Sequence, residues 1–374
     1  MDATIDAPAA PPPTDRPTAR ATGVTRAPDG SLVVRVRRGR LSARLDARSV
    51  AVTAVALGLA TLVFAWSLTL GDYPLSLGDV VRTLVGQGEQ RHEFIVRTLR
   101  LPRGLTGLLV GASLGLAGAV FQRIMRNPLA SPDLIGISNG AAAAAVFVIV
   151  VLGGSSTEVT WGALAGAVGT GAAIHLLAYK RGISGYRLVL VGVAVTAMMT
   201  SITSYLLTRA EIYEAQRAVV WLTGSLNARG WDHVRPLTVA LAVLLPAVLA
   251  LARHLRVLDL GDDAARGLGA RADRVRSGLL LVATALVAVS VASAGPVSFV
   301  ALVAPQIGRR LVGGSSAALV PSAALGALLL VASDLVARRV VAPTELPVGV
   351  VTAILGAPYL LILLARANRI GSAG

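Results

Sequence analysis

The sequence predicts an all-α membrane protein of about ten transmembrane helices, on three observations. Its 374 residues are 54% apolar with a mean hydropathy of +0.70, and the apolar residues fall in blocks of about twenty, the length that crosses a bilayer as helix. The blocks are continuous rather than alternating, which disfavours a β-barrel. Aromatics make up only 4% of the chain while glycine reaches 39 residues, a composition suited to spans that pack closely through small side chains.

Residues 1–48 open in proline, alanine and threonine and end in RVRRGRLSARLDAR. No apolar pattern there offsets the cost of ordering, so a disordered basic cytoplasmic tail is expected, with 49–374 as the transmembrane domain. The tail has no apolar h-region, and a cleaved signal peptide is not expected. The first span is Ser49–Leu70. Residues 71–104 are expected outside the membrane, with a short helix near Leu77–Val85, closing on LRLPR (Leu99–Arg103). The second span, Leu105–Ile124, carries Gly107, Gly111 and Gly115 at spacing four, a pattern for a tightly packed helix.

RNPLASPDLIGISNGA (Arg126–Ala141) then interrupts the apolar flow. Spans three to five follow at Leu134–Leu152, Trp161–Tyr179 and Leu188–Leu207. An amphipathic outer segment, Thr208–Arg235, is too short and polar to cross. Span six, Pro236–Ala252, leads to a polar insert, Leu255–Arg276, and span seven is Ser277–Ala294. The eighth element, in Gly295–Gly313, contains Pro296 and Pro305 and reads as a broken or partial span, tolerated only inside protein or beside a cavity. Spans nine and ten are Ala317–Val336 and Val350–Leu364.

The net charge of +15 follows the membrane rather than a nucleic acid. With both termini cytoplasmic, 24 of the 35 lysines and arginines lie inside and 11 outside, as the positive-inside rule requires. Within the insert, Leu258, Gly261, Ala264, Ala265, Leu268, Ala272 and Val275 recur every three or four residues, one face of a helix. Asp259 and Asp262 are suitable N-caps, and Gly267 and Gly269 would stop a first short helix. That makes a flush surface of small residues at the cytoplasmic face. An ordinary amphipathic connector on the lipid surface has the same pattern.

Several chemistries are absent from the sequence. With no cysteine there is no disulfide or thiolate metal site. His92, His175, His233 and His254 are scattered without metal-ligand spacing. The one lysine, Lys180, belongs to no GxxxxGK[ST] loop, so the chain does not hold ATP in the P-loop manner. No HExxH is present, and the spans are nearly free of the buried ionisable groups that ion-coupled carriers use. Energy for transport is expected to arrive from another subunit, although an ion-coupled secondary transporter and a non-transporting scaffold or enzyme stay open as alternatives.

Taken together, LRLPR, GASLGLAGAVFQRIMRNPLASPDLIGISNGA, LVLVGVAV, WLTGSL, LDLGDDAARGLG, GPVSFVALVAPQIGRRL, ASDLVAR and LPVGVVTAILGAPY resemble the permeases of ABC importers for iron–siderophore complexes, haem and vitamin B12. The likeness runs in register over about residues 50–366 and is strongest to the ferric-siderophore branch. Ala301, Gln306 and Tyr359 depart from the family's usual glycine, histidine and phenylalanine. The resemblance implies a type II importer permease that carries no cofactor of its own. ATP and Mg would be bound by two partner ATPases, and the chain would pair with a second, identical or related permease in the plasma membrane of a bacterium. It also implies docking of an extracytoplasmic siderophore-binding protein on Arg100, Arg103 and Arg338. ATPase coupling would fall to Leu258, Gly261, Asp262, Ala264, Ala265, Leu268 and Gly269. A cytoplasmic gate would be built from Asn127, Leu129, Ser184 and Tyr186. Vitamin B12, haem or another chelate is the alternative cargo.

Overall fold

A computed structural model describes residues 23–26, 32–36, 41–180, 184–253, 272–313 and 318–371. Two compact units divide the chain at Val50. In the first, where a disordered basic tail is expected, the described residues up to Leu45 are strands. Three strands, β1 (Gly23–Arg26), β2 (Leu32–Val36) and β3 (Leu41–Leu45), form an antiparallel sheet in sequence order. Val24 pairs with Val34, and Val34 with Ala43. The local signal lies in β2, LVVRV, whose β-branched residues favour strand, and in the hairpin dipeptide Asp29-Gly30 that precedes it in sequence.

From Ala47 on, regular structure among the described residues is helical. The helix α1 (Ala47–Thr69) is followed by α2 (Leu77–Leu84), the short helix expected there. Ser76 and Asp79 close α2 with a reciprocal capping box that satisfies two backbone donors. The next stretch differs from expectation. Instead of a loop ending at LRLPR, helix runs unbroken from α3 (Gln90–Glu93) through a π-helical segment, Phe94–Arg100, into α4 (Leu101–Ile124). Pro102 supplies no N–H, and its ring would crowd a regular α turn before it. The wider π turn, in which the Leu101 N–H reaches the Val96 carbonyl, lets the helix pass through the proline.

The remaining helices are α5 (Ile137–Val150), α6 (Ser156–Ala178), α7 (Gly185–Arg209), α8 (Ile212–Leu222) and α9 (Trp231–Ala252). After them come α10 (Ala272–Ala294), α11 (Val300–Val312), α12 (Leu319–Arg339) and α13 (Val348–Gly371). Seven of the described helices are long and apolar enough to span a membrane. Two shorter apolar helices, Ile137–Val150 and Val348–Ile362, and the 13-residue α11 occupy the places of the other three expected spans. Helix α8 is the amphipathic piece expected within Thr208–Arg235.

Helix α4 is the centre of the bundle. Its apolar window is 78% buried within the protein, against 11% for α1 and 17% for both α7 and α9. The four-residue glycine spacing explains how it sits so deep. A Cβ on Gly111 would run into the Gly326 carbonyl of α12, one on Gly115 into the Ser322 carbonyl, and one on Gly118 into Ala301 of α11. Backbones this close gain dispersion and weak Cα–H···O contacts that bulky side chains would prevent.

Three separated sequence motifs meet at one end of this bundle. Gly224, in WLTGSL, and Gly295, in GPVSF, have φ of +69° and +75° and face each other's backbone. The Ser225 N–H donates to the Ala294 carbonyl at 2.8 Å, and the Gly349 N–H to the Gly224 carbonyl at 3.1 Å. This junction anchors the N-terminal end of α13 to the loop before α9, and it frames the recess described next.

Candidate functional site: an arginine-lined recess and the loop at the opposite end

At the end of the bundle where α4 begins and α12 ends, a recess of about 570 Å³ opens between the α1–α2 loop, the π segment, the loop before α9 and the α12–α13 connection. Arg100, Arg103, Arg229, Arg338 and Arg339 line it, with Asp72 and Glu345 as the acids. The fold thus brings together all three arginines to which the family resemblance gives a docking role.

They do not stand free. The Arg103 guanidinium donates from Nε (3.2 Å) and Nη2 (2.9 Å) to Asp334 Oδ1, and from Nη1 (2.8 Å) to Glu345 Oε2. Arg338, one turn along α12 from Asp334, reaches its other oxygen, Oδ2, at 3.0 Å. The Asp334 side chain is 3% exposed, and Arg103 and Arg338 are 12% and 10% exposed. A carboxylate so deep is tolerable because both oxygens take charge-assisted hydrogen bonds. Arg100 turns the other way, donating to the Leu68 carbonyl at 2.8 Å and the Tyr73 carbonyl at 2.5 Å. It thereby satisfies a carbonyl orphaned at the C-terminal end of α1.

Three members of this site escaped sequence reasoning. Asp334 and Glu345 lie 231 and 242 residues from Arg103, and no local pattern relates them. Arg229 enters from the loop before α9, where Ala228 takes a φ of +55°. Its Nε donates to the Ser225 carbonyl at 3.2 Å, and its Nη1 lies 3.2 Å from His233 Nε2. Burial pulls the Arg229 pKa down, while Asp232 opposes that fall.

At the far end of α4, the two pieces of the expected gate are neighbours. In the loop after α4, the Asn127 side chain accepts from the Leu129 N–H at 2.9 Å, folding RNPLA back on itself. Gly185, between Ser184 and Tyr186, lies against Met125, to which a Cβ would come within 3.5 Å. Ser184 is the N-cap of α7, and Tyr186 is 77% exposed. Gln306 of α11 donates to the Pro128 carbonyl. Gln122 of α4 accepts from Arg309 at 2.9 Å while donating to the Leu302 carbonyl at 3.0 Å. These amides tie α11 to both α4 and the loop.

Beyond that loop, Asp133 accepts from the Ser138 hydroxyl at 2.7 Å. Burial pushes its pKa up to about 6 against the opposing pull of that bond. The raised value means the folded chain holds this proton more tightly than the unfolded chain does. The associated stability is complete below the ordinary carboxylate pKa of 3.8 and is lost as pH rises through about 6. Asp133→Asn should therefore leave the unfolding temperature unchanged at low pH and raise it at pH above 7. The gain is at most about 3 kcal/mol, read by thermal unfolding in mild detergent. An equal effect at both pH values would count against this account.

The coupling residues Leu258, Gly261, Asp262, Ala264, Ala265, Leu268 and Gly269 lie outside the described residues. Of the periodic face, Ala272 and Val275 are described: Ala272 is buried in the main core and Val275 packs on it. Helix α7 carries a feature the sequence reading did not single out. Thr200, Ser201, Ser204 and Thr208 are exposed on it, and Asn139 donates to Thr200 at 3.2 Å. Exposed apolar side chains such as Met198 and Ile202 share this helix, and Ser201 and Thr208 donate to the Ala197 and Tyr205 carbonyls.

A buried, glycine-packed helical bundle with a cationic recess at one end and a hydroxyl-bearing helix on its flank defines a polytopic membrane protein of the transporter class. Residues 59–366 match the FecCD transport family, and the chain belongs to that family. It is 40% identical over 304 residues to the ferric enterobactin transport system permease protein FepG of Escherichia coli, covering 81% of this chain and 92% of that one. It is 41% identical over 320 residues to the probable siderophore transport system permease protein YfhA of Bacillus subtilis, covering 83% and 93%. Among solved structures it resembles one described as an inward-facing conformation of a metal-chelate type ABC transporter. The TM-score is 0.76 at 30% identity, over 84% of this chain and 99% of that one.

Proposed function

We propose that the chain is the pore-forming permease subunit of an ATP-driven importer that moves a ferric siderophore across the cytoplasmic membrane. The observation that carries this reading is the match to iron-chelate permeases such as FepG over four-fifths of the chain. A second permease, identical or related, would cover the hydroxyl-bearing flank of α7, so that Thr200, Ser201, Ser204 and Thr208 face a polar pathway instead of lipid. Both termini would be cytoplasmic, which turns the arginine recess outward and RNPLA inward. An extracytoplasmic siderophore-binding protein would dock on the recess through carboxylates, with Arg100, Arg103 and Arg338 steering and orienting it. Of the two carboxylates whose burial matters, Asp334 is held by two arginines at a helix end, and Asp133 lies in the short turn Pro132–Ile135 against the Ser138 hydroxyl, so neither stands in the middle of a span. That favours an external energy source over ion coupling.

Deletion of the gene followed by uptake of labelled ferric siderophores, vitamin B12 and haem tests the cargo. Loss confined to ferric siderophores is expected, and unchanged iron uptake would refute it. The small-residue face of Leu255–Arg276 is proposed to seat the ATPase pair. Replacing Ala265 with tryptophan should reduce transport at least tenfold while ATP hydrolysis by the assembled complex continues. Uptake at the wild-type rate would move the coupling surface elsewhere.

A further inference from the structure

We propose that Glu345 is an internal stand-in for the docking carboxylate: it occupies a seat on Arg103 that an incoming carboxylate takes over. The inference rests on the docking role given to the recess. It begins from an inequality between the two acids that hold Arg103. Asp334 is a fixed part: its side chain is 3% exposed, and both oxygens are engaged, one by Arg103 and one by Arg338. Glu345 is held differently. Its side chain is 37% exposed and makes one contact to this cluster, Oε2 to Arg103 Nη1, from the short connection between α12 and α13.

The charges also favour exchange. Arg103 and Arg338 against Asp334 leave one positive charge over, and Glu345 neutralises it. Replacing Glu345 by a second carboxylate keeps that balance, so neither a bare buried cation nor an uncompensated anion is left. The backbone beside Glu345 is already tied down, with the Thr344 N–H on the Val341 carbonyl at 2.9 Å and the Leu346 N–H on the Ala337 carbonyl at 3.0 Å. Release therefore needs only rotation of the glutamate side chain, which is fast compared with segment motion.

A second observation points to an incoming acceptor. Arg338 Nε is buried without a hydrogen-bond partner among the described residues, although Arg338 lines the recess. A carboxylate entering the recess therefore meets a site in which one arginine donor is still without an acceptor. Displacing Glu345 also cuts the side-chain tie between α4 and the segment three residues ahead of α13, so occupancy of the recess would be sensed where that helix starts.

The test uses the assembled importer in nanodiscs, with a synthetic hexaglutamate peptide as the carboxylate probe and binding followed by thermophoresis. Glu345→Gln, which keeps shape and removes charge, should bind the probe about tenfold more tightly than wild type. The gain should vanish in the Arg103→Gln/Glu345→Gln double variant, the coupling expected of two groups sharing one interaction. Arg103→Gln alone should bind more weakly. It is the safer variant at that position, because a glutamate there would face Asp334. If Glu345→Gln does not assemble, Glu345→Asp, one methylene shorter, should still bind about threefold more tightly. Wild-type or weaker binding by the Glu345 variants, with Arg103→Gln weakened, overturns the stand-in role and leaves the docking reading standing. Unchanged binding by Arg103→Gln overturns the docking reading itself.

Discussion

A leucine at Gly111 is expected to abolish assembly of the bundle, with Gly111→Leu protein degraded in cells or eluting as aggregate from mild detergent. The four added carbons would have to occupy the space where the Gly326 carbonyl now lies. The approach is reciprocal, since a Cβ on Gly326 would meet the Gly111 carbonyl. Overpacking of an ordinary core costs about 1–3 kcal/mol because neighbouring side chains can yield. Here the obstruction is backbone on both helices, and relief requires α4 and α12 to separate. Separation would also strip α12 from Gly115, whose own Cβ position is filled by the Ser322 carbonyl. The control is Gly58→Leu in α1, where nothing lies within 4 Å; it should accumulate and elute as wild type does. Equal behaviour of the two variants would mean that close approach of α4 to α12 does not hold the bundle together.

That contact was legible in the sequence because its signal is local: three glycines four residues apart fall on one helix face. The same holds for the spans, the capped helix at Leu77–Leu84 and the proline-bearing α11, each written in a window shorter than thirty residues. What sequence reasoning missed has one of two causes. Helix continuity through LRLPR depends on a π turn absorbing Pro102, and nothing in the residue types separates that from a helix start, where proline is equally at home. The ion cluster depends on tertiary placement. Arg103, Asp334 and Glu345 come from three places in the chain, so the arginines were recognisable by motif while the acids that hold them were not. In the tail, the abundance of proline and arginine hid the β-branched run in LVVRV and the Asp29-Gly30 turn signal, although among the described residues the three strands pair in sequence order.

The second large effect follows from that cluster. Asp334→Ala is expected to destabilise the protein by about 3–5 kcal/mol, since it leaves Arg103 and Arg338 side by side, nearly buried, with no charge between them. Loss of Asp334 also leaves two Arg103 donors without an acceptor, and unsatisfied charged donors are the costly kind. The expected readout is a much lower unfolding temperature in detergent, with little protein recovered from membranes. A companion variant separates stability from function. Replacing the group together, Arg103→Met, Asp334→Leu and Arg338→Met, removes the three charges of the ion cluster at once and should restore most of the lost stability, because apolar groups of similar volume often equal or exceed a buried ion cluster. The triple variant should nevertheless bind the carboxylate probe more weakly than wild type, since it keeps Arg100, Arg229 and Arg339 in the recess but loses the two guanidiniums of the ion cluster. Recovery of folding without recovery of binding would mean that the fold does not need these charges and that the surface does. Wild-type stability of Asp334→Ala would instead mean that water reaches the arginines freely, and the recess would then lack the low-dielectric walls that make a carboxylate–guanidinium contact selective.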